Sequence, residues 1–198
     1  MTILPWQAHK DLTEERLSIL AEGLLNVRHD TYAELTTRLD DNYSRGCATF
    51  GRQRQWLMQQ AKSERYDWLT LASPAMDLTV NIGSIPVRFF TDDHDSPKKP
   101  GYYKRNDVDQ LFSSDDTEPV VFRFVVEPAA TLEDEDRVFF LGHNVYQEVV
   151  VEWQYRPRTA IILPVGSNAP ETVVQSDAEV GLKSQDKEQG GKAIGNNS

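Results

Sequence analysis

Cysteine is almost absent from this sequence, and its hydrophobic runs are short. The one cysteine among 198 residues, Cys47, cannot form an intrachain disulfide, which excludes a disulfide scaffold and a zinc site built from several cysteines. The longest apolar runs are the length of a strand, whereas a helix that spans a bilayer needs roughly 20 residues. No basic stretch followed by an apolar one opens the chain. We therefore expect a cytoplasmic protein that does not enter a membrane.

Basic side chains are outnumbered. The chain has 21 lysines and arginines against 31 aspartates and glutamates, which gives a formal net charge of -10. Such a chain is repelled by phosphate backbones and anionic lipids unless its basic residues gather on one face. Because 39% of the residues are hydrophobic, a sizeable core can still form. The composition favours another protein or a small molecule as the partner over nucleic acid.

The common catalytic and cofactor motifs are also missing. The sequence contains no Walker loop, dinucleotide fingerprint, HExxH or GxSxG motif, which argues against the usual NTPases, dehydrogenases, zincins and α/β-hydrolases. We predict no cofactor. His143 is a candidate general base, since histidine titrates near neutral pH, but no nucleophile follows at a recognisable spacing. An enzyme of unrecognised type is therefore kept as one alternative.

Helical periodicity fills the first third of the chain. Asp11 and Glu14 have the spacing of a capping box, which predicts that Asp11 caps the first helix. Apolar residues then recur at steps of three and four, as on a helix with one buried face: Leu17, Leu20, Leu24 and Val27. Residues 44–51 contain Gly46 and Gly51 and are interpreted as a connector. A further helix is predicted to end near Tyr66.

The period then changes from 3.6 to 2, which indicates strands. The parity of the alternation flips across Gly83 and Ser84, which predicts a two-residue type II′ hairpin, with a β-bulge as the alternative. Pro86 lacks an N–H, so we place the second strand of this hairpin at a sheet edge. Four more strands are predicted at residues 120–126, 137–142, 148–155 and 160–165.

Helices followed by strands predict an α+β fold, with N-terminal helices packed on one face of a mostly antiparallel sheet. Polar residues on the outer face of the 148–154 strand indicate a sheet covered on one side only. Residues 92–118 are interpreted as a long loop. We predict a single domain over residues 1–166 and a disordered polar tail over 167–198, because the tail has no aromatic residue and few apolar ones.

The favoured function is a non-catalytic, acidic protein-interaction module. Inhibitors, immunity proteins and antitoxins of small toxic enzymes belong to this class, because a carboxylate-rich face steers association with a basic active site. The predicted partner-binding residues come from the polar face of the 148–154 strand and from the long loop. They are Glu148, Glu152, Gln154, Tyr102 and Tyr103.

The alternative function is nucleic-acid binding or regulation through a basic segment, residues 45–65. Aromatic residues are interleaved there with cations that could contact phosphates: Arg45, Arg52, Arg54, Lys62 and Arg65. The simpler interpretation is an amphipathic helix whose arginines pair with the protein's own carboxylates. The net charge favours that simpler interpretation.

Two acidic runs, residues 92–95 and 133–136, contain ligand types that metals use. Neither run has the spacing of the twelve-residue calcium loop, and clustered like charges usually stay in water. Both are therefore interpreted as solvated turns, and no metal site is predicted.

Overall fold

The computed structural model describes residues 2–104, 119–129, 131 and 134–157. The chain divides into one compact unit, Met1–Arg158, and a second unit, Thr159–Ser198. The predicted strand at 160–165, the predicted domain boundary at 166 and the predicted disordered tail at 167–198 lie outside the described residues. Within those residues, no helix is both long enough and apolar enough to cross a membrane.

Among the described residues, three helices precede the sheet: α1 (Pro5–Ala8), α2 (Glu14–Glu34) and α3 (Asn42–Lys62). The cap of α2 is Thr13, whose hydroxyl accepts the N–H of Arg16 at 3.3 Å. The prediction that Asp11 caps this helix is wrong. The Asp11 carboxylate instead accepts the N–H and the hydroxyl of Ser84, at 3.1 and 3.2 Å, and so links the segment before α2 to the sheet.

Helix α3 runs straight through the predicted connector. Its cap is Asp41, whose carboxylate accepts the N–H of Ser44 at 2.8 Å. The connector prediction is wrong because both of its glycines lie on an open helix surface, with nothing near the position of a Cβ. The glycine that matters for packing is Gly23 in α2, where a Cβ would lie 2.0 Å from the ring of Trp56. Its absence lets α2 and α3 pack closely.

In the described part of the chain, the sheet has six strands in chain order, β1 to β6, with every neighbouring pair antiparallel except β3 and β4. The strands are β1 (Leu69–Ser73), β2 (Thr79–Ile82), β3 (Ile85–Thr91), β4 (Val121–Glu127), β5 (Arg137–His143) and β6 (Val149–Gln154). The predicted α+β fold with a mostly antiparallel sheet is confirmed. Strand β1 was not predicted, because two apolar residues, Leu69 and Leu71, are too few to show a period.

The hairpin between β2 and β3 has the predicted two-residue turn. Ile82 pairs with Ile85, and φ is +60° at Gly83 but not positive at Ser84, which is the type II′ pattern. The prediction that β3 is an edge strand is wrong, since β3 lies between β2 and β4. Pro86 is tolerated there because the pairing with β4 begins one residue later, at Val87.

The helices cover one face of the sheet, as predicted. Leucines of α2 and α3 pack there against β-strand residues in one continuous core, which includes Leu20, Leu57, Val87, Phe124 and Phe140. The other face is not bare. Tyr102, in the connection from β3 to β4, is 1% exposed and packs with Val125, Phe139 and Leu141. The expectation of a sheet covered on one side only is therefore wrong for the central strands.

Arginines hold this connection onto the second face. Arg88 and Arg123 lie side by side in the parallel register of β3 and β4 and are 6% and 0% exposed. Arg123 donates to the carbonyl of Tyr102 at 3.2 Å, and Arg88 donates to the carbonyl of Lys104 at 3.1 Å. Buried charges are tolerated where their N–H groups find acceptors. Tyr102 and Tyr103 of the predicted loop are therefore packed against the sheet.

We predict opposite effects for two glycine-to-alanine substitutions. Gly83→Ala should lower the free energy of unfolding by about 1–2 kcal/mol, because a Cβ is strained at positive φ and would lie 2.3 Å from the Asp11 carboxylate. Gly51→Ala is the matched control. It should raise stability by about 0.5–1 kcal/mol, since alanine is a better helix former and the site is open. Urea unfolding measures both, and a stabilised Gly83→Ala variant would contradict this account.

Candidate functional site

Strand β6 is an edge of the sheet, and the N-terminal segment covers part of that edge. Ile3 donates its N–H to the carbonyl of Val150 at 3.0 Å and accepts the N–H of Glu152 at 3.1 Å. This short parallel ladder stops there, because Pro5 has no N–H and begins α1. Past Ile3, no described strand lies beyond the edge of β6.

A groove of about 680 Å³ lies along the part of the β6 edge that no described strand covers. The first turns of α2 form one wall and the end of β6 forms the other, with Trp153 and Tyr155 contributing aromatic surface between them. Its charged lining is dominated by carboxylates: Glu14, Glu15, Glu22 and Glu152, with Arg156 as the cation. We call this cavity the α2–β6 groove.

The carboxylates of the α2–β6 groove are exposed. In the described part of the chain, none of the four makes an ion pair or accepts a hydrogen bond from another side chain. Glu14 and Glu15 stabilise the first turn of α2 through the helix dipole, which is a purely structural role. Glu22 and Glu152 have no such role. The groove therefore holds a local excess of negative charge that a cationic ligand would relieve.

The five predicted partner-binding residues do not form one surface. Glu152 and Gln154 line the α2–β6 groove. Glu148 lies in the turn between β5 and β6, where its carboxylate accepts the side-chain N–H of Asn144 at 2.9 Å. Tyr103 is half-buried on the second face of the sheet, and Tyr102 is 1% exposed. Tyr102 was misjudged because a buried tyrosine and a contact tyrosine look the same in sequence, and we remove it from the candidate surface.

Most cations of the basic segment already bind other groups of this protein. Arg45 donates to the carbonyl of Leu35 at 2.9 Å, Arg52 pairs with Glu34 at 2.5 Å, and Arg54 donates to the carbonyls of Pro74 and Ala75. Lys62 and Arg65 are exposed near the end of α3. These contacts match the simpler interpretation, an amphipathic helix, and they leave two side chains of the segment open to solvent.

The first acidic run is a turn in which Asp93 and Asp95 are exposed, as the interpretation of a solvated turn expects, and His94 is the exception. The His94 ring stacks on Phe139 with 3.7 Å between ring centroids and 1° between planes, and its Nδ1 lies 3.2 Å from the Glu127 carboxylate. Donor atoms of Asp93, His94 and Glu127 lie within 4.8 Å of one another. These residues could hold a divalent cation. However, Arg137 already contacts Glu127 at 2.7 Å, and a cation there would have to displace it.

In the second acidic run, the prediction of a solvated turn is wrong for Asp136. Its carboxylate is 13% exposed and pairs with the buried Arg28 at 2.6 Å, while it also accepts the N–H of Ala129 at 2.9 Å. This ion pair joins α2 to the segment just before β5. The pairing partner lies more than a hundred residues away in the chain, so the spacing of the run itself carried no sign of it.

His143 sits beside a cavity of about 300 Å³ that Tyr103, Asn144 and Gln147 also line. Its ring lies edge-on to Tyr102 and Tyr103, with centroids 5.4 and 5.3 Å away, and neither ring nitrogen bonds to any residue the structure describes. Burial and the nearby Arg123 lower the pKa of His143 from 6.5 to about 4. Such a histidine is neutral at physiological pH, and both of its ring nitrogens are buried.

Sequence reasoning missed the wall of the groove. Glu14 and Glu15 look like ordinary first-turn acids, and Glu22 looks like the solvent side of an amphipathic helix. The sequence did contain one sign of this wall. The acids of α2 lie on the side opposite its leucine stripe, and that side cannot pack in the core. Nothing in the sequence placed it next to β6.

His143 predicts a specific pH dependence of stability. Since the unfolded histidine takes up a proton below pH 6.5 and the folded one only below about 4, its contribution is complete above pH 6.5 and is lost as the pH falls towards 4. Between pH 7 and 5 this single group should cost about 2 kcal/mol. His143→Phe should show a shallower loss of stability over that range in urea unfolding. Equal slopes for the two proteins would contradict the buried, neutral state.

The sequence matches no protein-family model, and no curated protein or solved structure matches the chain.

Proposed function

We propose that this protein is a non-catalytic interaction module that holds a positively charged segment of a partner protein in the α2–β6 groove. One observation carries the proposal: four carboxylates without a described cationic partner converge on one groove at an open sheet edge. Carboxylates that line one groove attract an opposite charge, and they attract it more strongly at low ionic strength. Lysine and arginine side chains of a partner supply that charge.

The charge of the whole chain supports the same function. A net charge of -10 attracts a basic protein over a distance of about 10 Å at moderate salt and speeds its encounter with the groove. Proteins that neutralise small enzymes with basic active sites work in this way. We place this chain in that class, as an inhibitor, immunity protein or antitoxin, and the partner's basic site is the segment that enters the groove.

The alternative functions have less support. Nucleic-acid binding would use the basic segment, but Arg45, Arg52 and Arg54 already bond within the protein. Catalysis would use His143, whose ring nitrogens are buried and whose pKa is lowered to about 4. No described observation favours either function over binding of a cationic segment.

Removing the charge of the groove should weaken binding of a cationic peptide. The variant combines Glu14→Gln, Glu15→Gln and Glu22→Gln, and the probe is a fluorescent octapeptide of alternating lysine and valine. Each exposed charge pair contributes about 0.5 kcal/mol, so the three changes should raise the dissociation constant about tenfold. Fluorescence anisotropy at low salt measures it, and added salt should weaken binding to the wild type.

A matched variant separates the groove from the overall charge. Asp30→Asn, Glu64→Gln and Asp67→Asn change the net charge by the same amount at exposed positions outside the groove, and binding should change less than threefold. If both variants weaken binding equally, or if the peptide does not bind the wild type at low salt, the proposal is wrong. In a pulldown from source lysate, the true partner is a protein retained by the wild type and the control but lost from the groove variant.

A further inference from the structure

We infer that the cationic segment binds as an added β-strand, hydrogen-bonded to the open part of the β6 edge. This inference rests on the proposed function and specifies how the ligand is held. The observation behind it is a row of backbone groups rather than the carboxylates of the groove. Extended peptides commonly bind in this way where a sheet edge is open.

The direction of each backbone group of β6 follows from its pairing. Tyr155 donates its N–H to the carbonyl of Val138 at 2.8 Å, so in an antiparallel ladder Val151 and Trp153 also bond towards β5. The N–H and C=O groups of Glu152 and Gln154 then point away from β5. The bond from the Glu152 N–H to Ile3 confirms this direction. Three of these four outward groups have no backbone partner among the described residues, namely the Glu152 carbonyl and both backbone groups of Gln154.

Ile3 shows that this edge accepts a strand, and Pro5 shows why the N-terminal segment does not extend further along it. In a parallel ladder that starts at Ile3, the residue two further on would donate an N–H to the Glu152 carbonyl. That residue is Pro5, which has no N–H and turns the chain into α1. The open stretch therefore begins where the chain's own strand stops, and it borders the α2–β6 groove, which both Glu152 and Gln154 line.

The carboxylates determine which strand fits. Side chains of an added strand would alternate between the two faces of the sheet. One set would project to the side of α2, where Glu14, Glu15 and Glu22 lie, and the other to the side of Glu152. Lysine or arginine at alternate positions places positive charge along the acidic wall. A second copy of this chain is a poor occupant, because two acidic grooves would repel each other.

Backbone methylation of the peptide tests this inference without altering the protein. Two versions of the lysine–valine octapeptide carry N-methyl groups on all lysines or on all valines, which leaves charge and side chains the same. In an added strand, N–H groups at alternate positions point towards β6 and the others point to solvent. One methylated peptide should therefore bind about tenfold more weakly or worse, and the other should stay within about threefold of the unmodified peptide.

The outcomes separate this inference from the proposed function. If the unmodified peptide binds and depends on Glu14, Glu15 and Glu22, but both methylated peptides bind equally well or equally poorly, the proposed function stands and strand addition is overturned. If the unmodified peptide does not bind the full chain at low salt, the proposed function itself fails. A loss confined to one of the two methylated peptides supports strand addition.

Discussion

The parallel pairing of β3 with β4 is the constraint on which the rest of this structure depends. Five neighbouring pairs in one sheet would be a simple meander if all were antiparallel, but this one pair requires the chain to cross the sheet between residues 91 and 121. The same register places Arg88 beside Arg123. Their guanidinium groups hold the carbonyls of Tyr102 and Lys104, so the described end of this connection packs on the second face.

That cover decides where a functional surface can lie. The helices bury one face of the sheet and residues 92–104 bury much of the other over the central strands. His143, Tyr102 and Arg123 are polar and look functional, yet each is at most 1% exposed. The edges are then the parts of the sheet that can meet a partner, and β6 is the edge that lies beside a carboxylate-lined groove.

Much of the fold could be predicted from local patterns, but only one side of the candidate site could. Alternation along β4 and β6 and the Gly83–Ser84 turn identified strands and a hairpin, because each signal is contained in a few neighbouring residues. Pro86 led to the wrong prediction that β3 is an edge strand, because its missing N–H is harmless at the first residues of β3. The glycines of α3 led to the wrong prediction of a connector, because a long helix tolerates glycine on an open surface.

The groove depends on contacts between distant parts of the chain. Glu152 and Gln154 were predicted as contact residues because they face away from the core of β6, and they do line the groove. Their neighbours across it, Glu14 and Glu22, lie about 130 residues earlier, a separation no local period reports. The pairing of Ile3 with Val151 is a single residue long, which is too short to leave a pattern.

Hydrogen–deuterium exchange of the full chain, with and without the lysine–valine octapeptide at low salt, tests the central claim most directly. The account predicts slower exchange at the Gln154 amide and over the first turns of α2, with α3 unchanged. Protection that instead falls on residues 45–65, or on the second face around Tyr103 and His143, would contradict it.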